Sequence, residues 1–378
     1  MENKWKKEIL SNIATFKYGK MPQKNNIIDK YKKGLYPIFS GYRTIGYYKE
    51  YNTEDNSLIV IARGVGGTGE VRFIKEKTFL TNLSISMNLN KEKVDAKFLF
   101  YFLKKNNLRY LDSGSAQSQI TIRDLENVKI FLPPLNIQKK TAKLLSDIDE
   151  KIELNNKIND NLEKLIFLIY QNIFSNNVIK KECKMNEYFD ISIGKTPPRK
   201  NQEYFSNNSN NNLWVSILDM KSSGIYINKS SEYLTDEAIK KCNVKIIPKN
   251  TLLLSFKLTI GRIAITYLDK TTTNEAIAHF LTDKKGATEY LYCYLKKFNF
   301  NTLGSTSSIA TAVNSKIIKE MPFIVPQEKD LENFYNLVKP LFENIKNNQI
   351  ASEKLINLKN YLLPRLMNGE IDVEKIEL

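Results

Sequence analysis

Residues 131–174 read FLPPLNIQKKTAKLLSDIDEKIELNNKINDNLEKLIFLIYQNIF, and this stretch decides the fold. Pro133 and Pro134 end the strand-like segment before them and fix a backbone φ that suits the first turn of a helix. No Gly or Pro interrupts residues 135–174. The pattern therefore predicts one long helix.

Apolar residues recur along this helix at heptad spacing around a polar middle, as in one strand of a coiled coil. Lys151 lies in that polar middle. An amphipathic helix packed on its own domain would give a similar pattern. The predicted seam comprises Ile137, Leu144, Ile148, Asn155, Ile158, Leu162 and Leu165.

A second helix of the same kind favours pairing over the single-helix alternative. Residues 327–369 read QEKDLENFYNLVKPLFENIKNNQIASEKLINLKNYLLPRLMNG, with Gly369 as the predicted stop. Pro340 inside this pattern is expected to kink the helix or to delay its start. Its predicted seam includes Ile345, Asn348, Ser352, Leu355 and Leu362.

If the two helices pair antiparallel about their midpoints, Lys151 and Asn155 fall opposite Asn348 and Ser352. A matched polar layer of this kind would fix register and orientation at some cost in stability. About 39 helical residues at about 1.5 Å each span roughly 58 Å. That length is an upper bound of on the order of 17 base pairs of B-DNA at about 3.4 Å each.

Composition points to a polyanionic partner. The chain of 378 residues has 57 Lys and Arg against 41 Asp and Glu, a net charge of +16, with 20 Tyr and 19 Phe. Such a basic, aromatic-rich chain is typical of nucleic-acid-binding proteins. An AT-rich genome would also raise the Lys content without any ligand.

The three cysteines, Cys183, Cys242 and Cys293, lie far apart and form no CxxC pair. This usage suits a reducing cytosol, and it favours neither disulfides nor a zinc site. The chain shows no signal peptide and no apolar run long enough to cross a membrane. We therefore expect a cytoplasmic protein with no membrane contact.

The segments on either side of the first long helix share a repeated order of motifs. Thr81-Asn82 recurs 192 residues later as Thr273-Asn274, and Gly19-Lys20 has its counterpart in Gly194-Lys195. Predicted strands of the first segment are Tyr36–Ser40, 57–62, 70–74, 83–89 and 128–132, with a helix at 97–105. Those of the second segment are 213–218, 251–256, 262–268 and Pro322–Val325, with a helix at 289–297.

The sequence thus predicts an α/β (α+β) fold with a two-fold pseudo-repeat, in which two globular domains are separated by two long antiparallel coiled-coil helices. The expected boundaries are 1–133, 134–176, 177–326 and 327–378. Two domains related by an approximate two-fold axis match the symmetry that dimeric DNA readers use to bind two half-sites. Because the two halves have diverged, the two half-sites should differ.

The repeated unit and its helix junctions resemble the specificity subunit of type I restriction-modification enzymes. The resemblance rests on the junctions at 131–158 and at FIVPQEKDLENF (323–334), on the closing LINLKNYLLPRLMNGEI (355–371), and on GKTPPRKNQEYF (194–205) followed by LWVSILDM. FKYGKMPQ, residues 16–23, is a weaker match to the opening of such a domain.

The resemblance implies that each globular domain is a target recognition domain reading one half of a bipartite, asymmetric DNA site. It implies a non-catalytic protein that docks two copies of an adenine N6-methyltransferase subunit and possibly restriction subunits with translocase activity. S-adenosylmethionine and ATP would then bind only to those partners, and this chain would hold no cofactor and no metal.

Three motifs suggest chemistry but have simpler interpretations. Residues 64–69, GVGGTG, satisfy G-x-G-x-x-G after a strand, but a strand-like segment follows where a nucleotide fingerprint needs a helix. Asp219-Met220-Lys221 resembles a nuclease D-x-K, a pairing that is common by chance in a Lys-rich chain. The single His279 lies in a strand-like run and is predicted to be a core or edge residue.

DNA reading requires polar and basic side chains on loops that reach bases and phosphates. A surface residue exposed to solvent is the simpler alternative for each candidate. Those of the first domain are Lys20, Gln23, Lys24, Ser40, Tyr42, Arg43, Arg63, Thr68, Ser115, Gln117 and Gln119. Those of the second domain are Lys195, Thr196, Arg199, Lys200, Trp214, Lys257, Arg262, Ser305, Thr306 and Ser307.

Two other functions stay open at this point. A stand-alone S-adenosylmethionine-dependent methyltransferase, or a nuclease, would use the glycine-rich loop or Asp219. A coiled-coil interaction protein would be basic only through codon usage. Methyl transfer by the purified chain would support the first alternative, and failure to retain any duplex at low salt would support the second.

Overall fold

The computed structural model describes residues 5–64, 67–112, 118–175, 181–303 and 313–376. The chain divides into two compact units. Unit 1 comprises residues 1–152 and 354–378, and unit 2 comprises residues 153–353. The two longest helices are each divided between the units, whereas the predicted boundaries treated them as separate segments.

Unit 1 contains a mainly antiparallel domain, called domain 1. Its four-stranded sheet has the order β2-β8-β5-β6, a three-stranded sheet has the order β4-β3-β7, and β1 pairs with β9. The elements are β1 (Lys6–Ile9), β2 (Ala14–Tyr18), β3 (Tyr36–Ser40), β4 (Arg43–Tyr48), β5 (Ser57–Ile61), β6 (Val71–Ile74), β7 (Phe79–Leu80), β8 (Ser84–Leu89), α1 (Ala96–Asn106), α2 (Ile122–Glu126) and β9 (Lys129–Leu132).

The first long helix, α3 (Leu135–Phe174), follows directly. It starts after Pro134, whose carbonyl accepts hydrogen bonds from the amides of Ile137 and Gln138 at 2.9 and 3.0 Å. Proline suits this place because the first amides of a helix have no partner within the helix. The predicted helix start is therefore confirmed.

Unit 2 contains the corresponding domain 2. A five-stranded sheet has the order β11-β19-β16-β17-β14, a four-stranded sheet has the order β12-β15-β13-β18, and β10 pairs with β20. The elements are β10 (Lys181–Lys184), α4 (Met185–Tyr188), β11 (Asp190–Ile193), β12 (Phe205–Ser206), β13 (Asn212–Val215), α5 (Ile217–Ser222), β14 (Tyr226–Ile227), β15 (Glu232–Leu234), α6 (Asp236–Cys242), β16 (Leu252–Ser255), β17 (Ile263–Thr266), β18 (Thr271–Thr273), β19 (Ile277–Leu281), α7 (Ala287–Lys297), α8 (Ser315–Lys319), β20 (Pro322–Val325) and α9 (Glu328–Met367).

One expectation about these elements is wrong, and one of the two alternatives for Pro340 is excluded. The predicted strand at 213–218 ends at Val215, because the Ser216 side chain and Asp219 form a capping box that starts α5. Helix α9 begins at Glu328 and includes Pro340 in its interior, so the proline does not delay the helix start. The other predicted strands and both short helices are confirmed to within two residues.

The long helices pair antiparallel within each unit, and part of the predicted seam of α3 lies one residue away from the real one. Ile148 and Asn155 are buried as expected, and Thr141, Leu145 and Ile166 are buried beside them. Ile158 and Leu165 are instead 38% and 44% exposed. The contact row is Gln138, Leu145, Ile152, Asn159 and Ile166, one residue beyond the predicted row.

The misplacement follows from adjacent apolar residues. Leu144 and Leu145 neighbour each other, as do Leu165 and Ile166, so a heptad count fits either row. The fold class itself is confirmed: an α/β pseudo-repeat with a pair of long antiparallel helices.

Candidate DNA interface and helix surfaces

The candidate side chains of domain 1 gather around residues 80–84, here called turn 1. The amide of Lys20 donates to the carbonyl of Leu80 at 2.9 Å, and the Thr81 hydroxyl donates to Ser40 Oγ at 3.2 Å. The amide of Arg63 donates to the Leu83 carbonyl at 3.1 Å. Turn 1 thus joins three loops that are far apart in sequence.

Side chains around turn 1 face solvent. Lys20, Gln23, Lys24, Arg43 and Arg63 are exposed, and Tyr42 is 54% exposed. Arg63 forms an isolated bridge with Gln119, which brings that residue to the same place. Ser115 and Gln117 lie outside the described residues. Domain 1 therefore presents basic and amide side chains from four loops around one turn.

Domain 2 repeats this organisation around residues 273–277, here called turn 2. The amide of Lys195 donates to the Thr273 carbonyl at 2.9 Å, and the amide of Phe256, next to Lys257, donates to the Ala276 carbonyl at 2.9 Å. The Thr196 hydroxyl donates to the Glu275 carboxylate. Lys195, Lys200 and Lys257 are exposed.

The recurring Gly-Lys pairs have a structural cause. A Cβ on Gly19 would lie 2.3 Å from the Leu80 and Thr81 carbonyl oxygens, and one on Gly194 would lie 2.1 Å from the Asn274 carbonyl oxygen. Only glycine permits so close an approach of two backbones. The lysine that follows each glycine is thereby placed at the Thr-Asn turn with its side chain exposed.

Charges converge at turn 2. Burial alone would raise the pKa of the Glu275 carboxyl, but hydrogen bonds from Thr196 and the backbone, with the charges of Lys257 and Arg199, hold that pKa below its usual value. Glu275 therefore stays ionised near these basic side chains.

Arg199 lies on an aromatic platform beside turn 2. Its guanidinium carbon is 4.2 Å from the centroid of the Phe205 ring and 4.7 Å from that of Trp214. Both terminal nitrogens donate to the carboxylate of Glu232, at 2.8 and 2.9 Å. This arrangement holds the guanidinium plane in one orientation. No sequence motif pointed to Glu232, which lies 33 residues from Arg199 along the chain.

Three predicted contact residues have partners within their own domain. Trp214 is 3% exposed and supports Arg199 from below, so it does not offer a free stacking surface. Thr68 is buried and donates its hydroxyl to the Gly64 carbonyl at 3.1 Å. Arg262 is partly buried and donates to the Ile217 carbonyl at 2.5 Å. Ser305, Thr306 and Ser307 lie outside the described residues.

The motifs that suggested chemistry have structural roles. The glycine-rich segment connects β5 to β6, which pair antiparallel as a hairpin rather than leading into a helix. Asp219 accepts hydrogen bonds from Ser216 at the start of α5 and from the amide of Ser231 at 2.8 Å. Among the residues that the structure describes, no group of three or more His, Cys, Asp and Glu could hold a metal ion.

His279 is a core residue of β19. Ser192 Oγ lies 3.0 Å from Nδ1, and Thr273 Oγ lies 2.7 Å from Nε2. Because the Thr273 hydroxyl can donate to the Asn274 carbonyl, the network is satisfied by a neutral ring that carries its proton on Nε2. Burial first, and the charge of Lys245 second, lower the pKa of His279 to about 3.

The middle of the helix pair carries a polar layer in unit 2. Asn155 Nδ2 donates to Ser352 Oγ at 3.1 Å, and Asn348 Nδ2 donates to Asn159 Oδ1 at 2.9 Å. Since α3 and α9 begin at Leu135 and Glu328, Asn155 corresponds to Asn348 and Asn159 to Ser352. The hydrogen-bond pattern is therefore the same when the helices are exchanged. Lys151, predicted in this layer, is exposed, and Asn159 takes its place.

Both long helices also expose apolar side chains at corresponding positions. Leu165 and Leu168 of α3 are 44% and 61% exposed, and their counterparts in α9, Leu358 and Tyr361, are 45% and 56% exposed. Exposed Leu154, by contrast, corresponds to Asn347. No helix among the described residues is both long and apolar enough to cross a membrane.

A duplicated α/β domain joined to a repeated long helix, with basic loops gathered at the same turn in each copy, defines a class of two-domain nucleic-acid-reading proteins. The family model described as type I restriction modification DNA specificity domain matches residues 2–164 and again 177–353. The chain belongs to this family and serves DNA recognition in a type I restriction-modification system.

Known relatives agree with this assignment. The chain is 25% identical over 336 residues to the type I restriction enzyme MjaIX specificity subunit of Methanocaldococcus jannaschii, a match covering 80% of this chain and 75% of that protein. It is 21% identical to the HindI specificity subunit of Haemophilus influenzae, covering 73% and 77%. The crystal structure of the S subunit from M. genitalium has the same fold, with a TM-score of 0.66, 20% identity and 96% of each chain covered.

Proposed function

We propose that this chain is a non-catalytic specificity subunit that reads a bipartite, asymmetric DNA site, with one half-site bound at turn 1 and the other at turn 2. The observation that carries the proposal is the gathering of basic loops at the same Thr-Asn turn in both domains. The loops differ in sequence between the domains, which favours two unlike half-sites.

Lys20 and Lys195 are the expected phosphate contacts. Each follows a glycine that packs against the turn, so the position of the lysine is set by the backbone while its side chain stays exposed. Phosphate contacts fix the register of a protein on DNA, whereas base contacts carry the specificity. Arg199, Arg43 and Gln119 are the expected base contacts.

We also propose that two copies of an adenine N6-methyltransferase subunit bind the long helices. Leu165 with Leu168, and Leu358 with Tyr361, form two corresponding exposed apolar pairs. Repeated patches of this kind favour two copies of one partner. Restriction subunits would join this complex.

S-adenosylmethionine and ATP are expected on those partner subunits. The glycine-rich hairpin between β5 and β6 lacks the helix whose N-terminus would meet a cofactor phosphate. Asp219 is used in holding Ser216 and Ser231. Neither feature supports the methyltransferase or nuclease alternative.

Binding measurements on the chain with its methyltransferase subunits test the DNA part of the proposal. Methylome sequencing of cells with and without the chain supplies the target. Lys20→Ala and Lys195→Ala should weaken binding to all sequences and reduce the slope of log affinity against log salt by about 0.9 each. Lys241→Ala is the matched control, because this exposed lysine of α6 pairs with Glu237 and belongs to neither turn.

Two results would contradict this function. Methyl transfer from labelled S-adenosylmethionine by the chain alone would make it an enzyme. Failure to retain any duplex at low salt, even with the methyltransferase present, would favour a coiled-coil interaction protein.

Subunit stoichiometry tests the docking part. Leu165→Asp with Leu168→Asp should release one methyltransferase copy in native mass spectrometry, and Leu358→Asp with Tyr361→Asp should release the other. Leu154→Asp is the control, since this equally exposed leucine has no apolar counterpart in α9. Retention of both copies in both double variants would sink the docking proposal.

A further inference from the structure

The hairpin loop between β16 and β17 holds a leucine in full contact with water. Leu258 is 101% exposed, and its backbone φ is +60°, in the left-handed region. Residues other than Gly, Asn and Asp avoid this region because their Cβ approaches the following carbonyl oxygen. The same position therefore combines an exposed apolar side chain with a strained backbone.

The loop is nevertheless well anchored. The hydroxyl of fully buried Ser255 donates to the Thr259 carbonyl at 2.7 Å and accepts from the amide of Arg262 at 3.0 Å. The amide of Thr259 donates to the Lys257 carbonyl at 2.6 Å, which closes a tight turn around Leu258. A Cβ on Gly261 would lie 3.0 Å from the Phe300 ring, so the loop rests on that ring. The leucine is held outward by a fixed support.

Leu258 lies beside the charged groups of turn 2. It follows exposed Lys257. The amide of the residue before that lysine, Phe256, donates a hydrogen bond to turn 2. Lys257 and Arg199 both act electrostatically on Glu275. An exposed, strained apolar residue does nothing for folding, and strain of this kind is kept at functional sites. Its surroundings are suited to a polyanion.

We propose that Leu258 inserts between neighbouring bases at a step of the half-site read by domain 2, with Lys257 bound to the adjacent phosphate. DNA-binding proteins use apolar side chains in this way to unstack and kink a base step. Pyrimidine–purine steps deform most easily, so the wedge would favour such a step without hydrogen bonds to its bases. This inference rests on the proposed DNA-reading function.

The wedge belongs to one half-site. In the corresponding hairpin of domain 1, Arg63 takes the place of Lys257, and Gly64 follows where domain 2 has Leu258. Glycine has no side chain to insert. The wedge is therefore proposed for the half-site of domain 2.

Fluorescence of 2-aminopurine tests this directly on the complex of the full chain with its methyltransferase subunits. The probe replaces each base of the site in turn, except the target adenine. Binding should raise the fluorescence at one step of the half-site of domain 2. Leu258→Ala should abolish that rise and weaken binding on the order of tenfold, the equivalent of one apolar contact at a base step.

Two further variants separate a wedge from a structural residue. Leu258→Gly should lose the fluorescence rise while its Tm stays equal or increases, because glycine adopts the left-handed backbone without strain. Leu268→Ala is the control: this leucine is 37% exposed at the opposite end of β17 and should leave binding and fluorescence unchanged.

The outcomes separate the two levels of inference. A duplex that is bound equally well, with the same fluorescence, by the wild type and by Leu258→Ala would overturn the wedge and leave the proposed function standing. Loss of methyltransferase subunits from Leu258→Ala, with DNA binding otherwise intact, would assign the leucine to a protein contact and also overturn the wedge. Absence of duplex binding by every form would overturn both proposals.

Discussion

Domains 1 and 2 support their Thr-Asn turns with different chemistry. In domain 2, Ser192 of β11 faces His279 of β19, and His279 lies within hydrogen-bond distance of Thr273 in turn 2. In domain 1, the position of His279 is occupied by Ser86 of β8, which faces Lys17 of β2. Turn 1 relies instead on the hydrogen bond between Thr81 and Ser40 of the neighbouring hairpin.

The contacts between the two long helices also differ between the units, and here the charged groups lie in unit 1. In unit 1, Lys359 Nζ lies 2.6 Å from Asp149 Oδ1, and Tyr101 donates to the same carboxylate at 2.7 Å. The corresponding residues in unit 2 are Ile166 and Phe342, both buried in one apolar cluster. At these corresponding positions, charged groups join the helices in unit 1 and apolar side chains join them in unit 2, whereas the sheet of unit 2 holds the buried histidine.

The features that both halves share are those that close backbone packing and helix pairing require. The glycines before Lys20 and Lys195 have no room for a side chain, and Asn155 and Asn348 make equivalent hydrogen bonds. Core residues differ between the halves, while the buried polar side chains of the described residues keep hydrogen-bond partners, with Ser84 Oγ of turn 1 as the exception. Each half therefore has its own stability and its own response to pH, and this difference can be tested.

The largest effect is expected when the Asp found at position 149 of unit 1 is introduced at the corresponding apolar position of unit 2. Phe342→Asp buries an unpaired carboxyl beside Ile166 and removes an aromatic side chain that is 1% exposed. We expect unit 2 to lose about 4 kcal/mol or more. Trp214 fluorescence during urea unfolding, in a Trp5→Phe background, reports on this unit because the chain has two tryptophans.

The matching second substitution is the control. Ile166→Lys supplies the partner that Lys359 provides in unit 1, so the double variant should regain part of the loss. A double variant no more stable than Phe342→Asp alone would show that the two positions do not correspond.

Acid should destabilise unit 2 more than unit 1. The pKa of His279 is lowered to about 3 by burial, so the folded unit keeps this ring neutral while the unfolded chain binds a proton below about pH 6.5. The stabilisation is complete above pH 6.5 and is lost as the pH falls towards 3, by about 1.4 kcal/mol per pH unit.

His279→Met, which replaces the ring with an apolar side chain that cannot titrate, should remove this dependence. Unfolding free energies of unit 2 between pH 7 and pH 5 provide the measurement, in a range above most carboxyl titrations. Equal slopes for the wild type and for His279→Met would mean that the ring is protonated in the fold.

A smaller effect is expected in the part of the long-helix pair that belongs to unit 1. Asp149→Asn leaves Lys359, whose side chain is 13% exposed, without its charged partner, while Tyr101 can still donate to the amide oxygen. We expect a loss of about 2 kcal/mol, below the value for a fully buried pair because Asp149 is 38% exposed.

Asp149→Phe with Lys359→Ile copies the apolar half and should restore stability or increase it. Hydrogen exchange of residues 354–367 reads out both variants. Faster hydrogen exchange in the double variant than in Asp149→Asn would show that the apolar pair of unit 2 cannot replace the charged pair of unit 1.

The architecture was predictable because its signals are repeated. Pro134 with an uninterrupted heptad pattern, and a second copy after Pro326, determine two long helices. The exact seam was not predictable, since Leu144-Leu145 and Leu165-Ile166 allow two registers and only tertiary packing selects one. Capping at Ser216 overrode the strand propensity of Ile217 and Leu218 in the same way.

The site was predictable as loops and not as residues. Gly-Lys and Thr-Asn recurrence pointed to the right turns, and the structure brings them together in both domains. Whether a side chain there is free depends on partners distant in sequence, such as Glu232 for Arg199 and Ile217 for Arg262. The position of Leu258 depends on a backbone conformation that composition does not reveal.

The smallest effect concerns the polar layer that the two halves share. Asn155→Ala removes the donor to Ser352, which is 6% exposed, and leaves the equivalent bond from Asn348 to Asn159 in place. We expect a loss of about 1 kcal/mol, because one neutral hydrogen bond contributes about that much. Asn348→Ala should cost the same, since it removes the corresponding bond. Urea unfolding of both variants measures the pair: clearly unequal losses would show that the layer is not symmetric in energy, although its hydrogen bonds are symmetric in pattern.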